Sequence, residues 1–391
     1  MAQPVIEETS RGAEERIPVV DTDVHPTLAP TDPEIVGRLS PRWQEYVRTI
    51  GFRDTSTERT IPPQRKFTHR VDALDPSGRP AYIPSFTRGQ LLDEFDMSGA
   101  VLNDTTAIQL LKGNGNFPDQ LMLELCRAYN DAHAAVWFDD DPRFYASINI
   151  PIENPAAAIE EITRCKEGPY GDRYVQAMTE PRSNHLIGNP RYWPILEACE
   201  HYDIPFSFHT SPGRRMTASG GISYYFEWHC GIALRNFSFT PSLIFEGVFD
   251  RFPKLKISLI EQGWAWAVPF AWRMDASYEA MKNEVSHLER KPSEYLRDHF
   301  YFGSQPMVEP ERKKEIKNVV EQFEDFFGPE KLMFSSDYPH WDFDSPYEAI
   351  STSISEDSRR KILGENASNL YRIPLLENTG IFTSNPATLA G

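Results

Sequence analysis

The chain has no Cys-x-x-Cys pair. Its four cysteines, Cys126, Cys165, Cys199 and Cys230, are far apart, which argues against a thiolate zinc cluster. Cys126, Cys165 and Cys199 sit among apolar neighbours in helical stretches, the pattern of buried free thiols in a reducing compartment. No apolar run approaches the roughly 20 residues a bilayer span needs, and the opening MAQPVIEETSRGAEERIP lacks the hydrophobic segment of a secretory leader. A cytoplasmic location is expected by elimination. Basic residues are in the minority: 40 Lys and Arg face 57 Asp and Glu, a formal charge of −17. That balance argues against nucleic acid or an anionic membrane as partner and leaves a small-molecule substrate. The glycine-rich GxGxxG turn of a dinucleotide fold is missing after the first strand-like run, so a nicotinamide-dependent dehydrogenase is not expected.

What is present is alternation. Across 391 residues, 40% of them hydrophobic, short apolar runs recur at 17–25, 100–105, 144–152, 174–180, 204–210, 256–263, 301–306 and 331–337. Between and after them lie stretches of helical spacing at 89–99, 117–140, 154–165, 191–203, 241–253, 266–285, 310–325 and 355–373. Asn154 followed by Pro155 is a helix start, a capping side chain before proline at the first helical position. Eight strands alternating with helices imply a parallel sheet with right-handed crossovers. The expected fold is α/β, a (β/α)8 TIM barrel. Residues 1–16 read as a loose arm, 17–373 as a single barrel domain and 374–391 as a tail. Residues 26–88, rich in Pro, Arg and Thr with little periodicity, form a long insertion after the first strand, where such connections cover the mouth.

Four side chains carry the chemistry. Asp23 and His25 stand two apart at the end of the first run; on a strand such residues share a face, and an oxygen–nitrogen pair at that spacing suits a divalent ion. His209 ends the fifth run and Asp337 the eighth, within KLMFSSDYPHWD (331–342). Singly, each has an ordinary explanation: a hydrogen-bonded strand-end histidine, or a carboxylate capping the next helix. Their agreement at one end of strands one, five and eight favours a shared metal site, because barrels build sites from C-terminal strand ends. Glu261 ends the sixth run as a further ligand or as an acid or base beside the metal. His340 is placed to orient Asp337, to touch substrate, or simply to sit in a loop. Asp21, one layer deeper, reads as a supporting carboxylate.

The segments DVH, FHTS, LIEQGWAW, FSSDYPHWD and ILGENASNLY together resemble the amidohydrolase-related branch that includes aminocarboxymuconate-semialdehyde decarboxylase, over about residues 17 to 373. The resemblance implies a distorted (β/α)8 barrel, usually dimeric, holding one divalent ion, Zn or Mn. It also implies the ligands Asp23, His25, His209 and Asp337. Two departures stand out. Many members begin with HxH or ExH, whereas Asp23 here favours harder ions, Mn or Mg. The branch's decarboxylases carry a catalytic histidine at the end of strand six, where this chain has Glu261. No lysine ends the fourth run, so a carbamylated-lysine binuclear centre is not expected.

The loop 211–237 offers Arg214, Arg215, Tyr224, Trp228 and Arg235 to bind a planar anionic molecule, and His229 as a further acid or base. Solvated arginines and packed aromatics are the alternative. The narrow first expectation is hydrolysis of a small aromatic or unsaturated carboxylate-type substrate, by water whose pKa a metal lowers. Metal-dependent decarboxylation stands second, and a catalytically inactive metal-binding barrel third.

Overall fold

The computed structural model describes residues 16–52, 68–111, 117–181, 183–210, 216–217, 220–308, 310–312 and 315–382. Eight strands form one sheet: β1 Val20–Val24, β2 Gly99–Leu102, β3 Phe144–Asn149, β4 Tyr174–Thr179, β5 Phe206–His209, β6 Ile257–Ile260, β7 Phe300–Gly303 and β8 Leu332–Met333. Their spatial order is their chain order and every pairing is parallel. The sheet closes on itself: the Thr22 amide donates to the Phe334 carbonyl (3.0 Å) and the His25 amide to the Tyr338 carbonyl (2.8 Å). This is the expected (β/α)8 barrel. The strands are nearly all buried, as parallel strands covered on both faces must be.

The crossover helices bury one stripe each. In Asp119–Ala132 that stripe includes Leu121, Leu125, Cys126, Ala128, Tyr129 and Ala132. The Asn154 side chain accepts from the Ala157 amide ahead of Pro155–Glu167, the cap read from the sequence. The helix expected over 241–253 begins instead at Asn236, contains Pro241 and ends at Phe245, with a separate short helix at Val248–Arg251. Gly99, expected to end a helix, opens β2. A Cβ there would lie 2.8 Å from the Ile373 side chain, so only glycine lets the C-terminal segment approach.

That contact marks the barrel floor. Val20, Val101, Tyr145, Val175 and Met333 pack with Ala367, Leu370, Tyr371 and Ile373 as a separate apolar cluster. The helix Asn366–Tyr371 therefore plugs the end opposite to the strands' C-termini. Residues 16–17 pair antiparallel with 381–382, tying the tail to the chain's own beginning.

The inserted segment after β1 carries two short helices, Pro33–Val36 and Pro41–Ile50. Trp43 and Val47 bury their side chains in the cluster that contains Leu121 and Leu125. Its later part reaches the other end of the barrel: His69 forms a bridge with His340, and the Arg70 amide donates to the Pro339 carbonyl at 2.9 Å.

Candidate metal centre

Asp23 and His25 lie at the C-terminal end of β1, fully buried. Asn103, just past β2, holds both. Its carbonyl accepts from His25 Nδ1 at 2.7 Å, so the other ring nitrogen faces inward, and its amide Nδ2 donates to Asp23 Oδ1 at 2.8 Å. His209, ending β5, is buried as well; its Nδ1 donates to the Thr210 carbonyl, and its Nε2 lies 3.2 Å from Asp23 Oδ1.

Two further carboxylates come from the ends of β6 and β8. Glu261 and Asp337 both adopt left-handed backbone, with φ of 49° and 59°. For a non-glycine residue that conformation costs about 1–3 kcal/mol and concentrates at functional sites. Glu261 Oε2 lies 3.3 Å from His209 Nε2. Asp337 Oδ1 is shared between His25 Nε2 and His340 Nδ1, at 2.7 Å from each. His340 stacks on His25 with ring centroids 4.5 Å apart. The contact with Asp337 is the one an orienting histidine would make.

The environments of these two carboxylates diverge. Burial, with the charges of Asp337 and Asp23 beside it, pushes Glu261 well above the ordinary carboxylate range and favours its neutral form. Burial acts on Asp337 in the same direction, but the imidazoles of His340 and His25 outweigh it and hold its carboxyl far below that range. Burial alone would depress His25; the Asp23 charge and the bond to Asp337 prevail and push it up to about 10. Asp21 accepts from the amides of Asp23 (3.0 Å) and Ser336 (2.9 Å), and burial pushes it up to about 7.

The cluster therefore favours a cation. Donor atoms of Asp23, His25, His209 and Glu261 lie within 4.8 Å of one another, as do those of His25, Asp337 and His340. Asp23 Oδ2 and Asp21 Oδ2 are buried without any hydrogen-bond partner, which is costly for a carboxylate unless a positive charge is near. An oxygen- and nitrogen-donor set without sulfur fits one divalent ion such as Mn, Mg or Zn.

Above the cluster, the loop after β8 meets two segments remote in sequence. On one side His229, in the short helix Tyr225–His229, has Nε2 2.9 Å from Asp342 Oδ2, and Trp341 Nε1 donates to the Tyr225 hydroxyl at 3.3 Å. Gln305 also donates to Asp342 Oδ2, at 3.1 Å. On the other side His69 brings its ring to 5.7 Å from that of His340. Of the residues expected to touch substrate, Arg235 reaches the rim, donating to Glu180 (3.0 Å) and Thr210 (3.3 Å). Trp228 is buried against Tyr225, and Tyr224 is 72% exposed. Arg214 and Arg215 lie outside the described residues. Asn103, His69 and Asp342 went unnoticed in the sequence: Asn103 and Asp342 have ordinary identities at unremarkable spacings, and His69 sits in an aperiodic insertion. Among the described residues no helix is long and apolar enough to cross a membrane.

Comparison with known proteins agrees with this architecture. A gamma-resorcylate decarboxylase of Polaromonas sp. (strain JS666) is 25% identical over 301 residues, covering 73% of this chain and 86% of the relative. The 2-amino-3-carboxymuconate-6-semialdehyde decarboxylase of Dictyostelium discoideum is 25% identical over 252 residues, covering 63% and 66%. A crystal structure of dihydroxybenzoic acid decarboxylase from Polaromonas sp. JS666, with bound manganese and the inhibitor 2-nitroresorcinol, superposes with a TM-score of 0.62 at 20% identity, covering 93% of this chain and 99% of that one. The amidohydrolase family model matches residues 20–373, almost the whole barrel from the first strand to the floor helix. The chain belongs to the amidohydrolase family.

Proposed function

We propose that this enzyme decarboxylates a small aromatic or muconate-like acid without hydrolysis, using one divalent ion held by Asp23, His25, His209 and Asp337. Decarboxylation, second on the sequence alone, moves ahead of hydrolysis. The observation that carries it is the first of the relatives above, a decarboxylase of an aromatic acid matched over 86% of its length. Manganese in the Polaromonas structure, together with the carboxylate at position 23, supports Mn over Zn.

The absence of a histidine at the end of β6 was the objection to this chemistry, and Glu261 answers it. Pairs of titratable groups driven apart by their surroundings mark acid and base roles. Glu261 is buried beside two other carboxylates, which favours its neutral, proton-carrying form, the form that can give a proton to carbon. Asp337 is kept ionised by two imidazoles and suits binding of the cation. A divalent ion held by Asp23, His25, His209 and Asp337 would supply positive charge to draw electron density from the scissile bond. The substrate carboxylate leaves as CO2, the C–C bonding pair stays on the ring or chain carbon, and that carbon takes the Glu261 proton. Glu261 then regains a proton from solvent. His340 holds Asp337 in place, and the wall of Tyr225, Trp341 and His229 suits a flat substrate.

Hydrolysis keeps one specific support, the ionised Asp337, which could take a proton from water. Incubating the Mn-loaded enzyme with hydroxybenzoates and muconate-like acids in H2(18)O separates the readings. Decarboxylation gives CO2 and an organic product free of label; label in that product overturns the proposal. No turnover of any such acid by Mn-loaded protein would favour the inactive barrel.

A further inference from the structure

Inside the barrel, beneath the metal centre, runs a file of buried polar side chains that the ligand set does not require. Asn103, Ser147, Gln176 and Ser258 lie on or just past strands β2, β3, β4 and β6, each with 2% or less of its surface exposed. Tyr371 belongs to the floor helix and enters from below. Their hydrogen bonds have one direction. The Tyr371 hydroxyl donates to Gln176 Oε1 at 2.8 Å, and Gln176 Nε2 donates to Ser147 Oγ at 2.9 Å. Ser147 donates to Asn103 Oδ1 at 2.6 Å, and Asn103 Nδ2 donates to Asp23 Oδ1 at 2.8 Å. Ser258 Oγ, 2.9 Å from the Tyr371 hydroxyl, supplies the donor at the far end.

We propose that this relay makes Asn103 and Tyr371 positioning residues for the metal: a one-way hydrogen-bond chain from the floor helix that fixes how Asp23 presents its carboxylate. The chemistry of each link explains why the direction matters. An amide has a donor end and an acceptor end. With Ser147 donating to its oxygen, the Asn103 amide must turn its NH2 group toward Asp23. That gives Asp23 Oδ1, which lies 3.2 Å from His209 Nε2 and 3.4 Å from His25 Nε2, a fixed donor and so sets the plane in which the carboxylate meets a cation, while Oδ2 has no partner. The same residue's carbonyl orients His25, so a single position sets two neighbouring donors. Each bond in such a file polarises the next. Groups that orient metal ligands typically change metal affinity 10- to 100-fold when lost. An apolar barrel interior would serve stability as well, since branched apolar side chains normally fill these layers.

The proposal rests on Asp23 and His25 being metal ligands, so its test includes them. Wild type, His25→Ala, Asn103→Leu, Tyr371→Phe and the double variant are titrated with Mn2+ and free Mn2+ is followed by its EPR signal. Tight binding by wild type and its loss in His25→Ala uphold the metal centre; no binding by wild type, or undiminished binding by His25→Ala, overturns centre and relay together. With the centre upheld, Asn103→Leu should weaken Mn2+ binding about 10- to 100-fold and Tyr371→Phe about three- to tenfold. The double variant should be no weaker than Asn103→Leu, because both act through one file. The relay alone is overturned if Asn103→Leu stays within about threefold of wild type, or if the Tyr371→Phe loss persists in full in the Asn103→Leu background. Should Asn103→Leu fail to fold, Ser147→Ala replaces it in both comparisons and is judged by the same pattern, with a loss of about three- to tenfold expected.

Discussion

Raising the pH from 7 to 9 should tighten Mn2+ binding to the metal-free protein about 100-fold. The reasoning starts at His25, fully buried and pushed up from 6.5 to about 10 by Asp23 and Asp337. Its inward nitrogen cannot hold a proton and a metal together, so the metal must displace the proton. Each pH unit below 10 then costs the metal about 1.36 kcal/mol, or tenfold in affinity. Asp23, Asp337, Glu261, His209 and His340 all face this nitrogen or its partners. Among them Glu261 is also shifted toward its protonated form, by burial first. Calorimetry in buffers of different ionisation enthalpy counts the protons released. One proton per Mn2+ leaves Glu261 a protonated acid beside the ion; two mean that it has been drawn into coordination. Release of fewer than about 0.3 protons, with affinities at pH 7 and 9 within about threefold, would refute the reasoning. The same shift governs the metal-free fold. A histidine raised in the native state contributes stability that is complete below pH 6.5 and lost as pH climbs through about 10, here about 5 kcal/mol. Added Mn2+ should therefore rescue the protein most at alkaline pH.

The other expectations concern single side chains. Asp21, raised from 3.8 to about 7, also weakens the metal-free fold as pH rises through that interval. Asp21→Asn keeps an oxygen for both backbone amides, so between pH 4 and pH 8 its urea stability should gain about 4 kcal/mol relative to wild type. A gap that does not widen with pH would contradict the burial argument. Glu261→Gln should retain Mn2+ and lose about 10²- to 10⁴-fold in kcat on the decarboxylated substrate; a loss under about tenfold removes Glu261 from the proton-donor role. His340→Ala strips Asp337 of one partner and should lower kcat or Mn2+ affinity about 10- to 100-fold, read from parallel turnover and binding assays. Trp228→Ala should cost about 3–5 kcal/mol in denaturation, as a buried packing residue does, and leave KM largely unchanged in substrate titrations.

The barrel and its four central side chains were legible because their signals are local. Asp23 and His25 share a face by strand periodicity, and His209 and Asp337 stand where apolar runs stop. What stayed hidden depends on register. Nothing near Asn103 or Gln176 announces a polar barrel interior; their meaning arises only when strands remote in sequence place them in line. His69 depends on a bridge between an aperiodic insertion and the loop after β8. Trp228 shows a different limit: aromatic composition marks a binding wall and a packed helix equally well, and the structure adds that its side chain is buried against Tyr225.

The seam that shuts the cylinder joins its first and last strands, through Thr22 with Phe334 and His25 with Tyr338. The donors from β1 and from the end of β8 meet across that seam, so the carboxylate of Asp337 reaches its imidazole partner His25 only after more than three hundred intervening residues exist. A polypeptide still short of Asp337 carries Asp23, His25 and His209 but lacks the carboxylate that meets His25 and the loop whose His340 bridges to His69. Closing that seam is therefore the step of folding that brings the β8 carboxylate to the donors of β1.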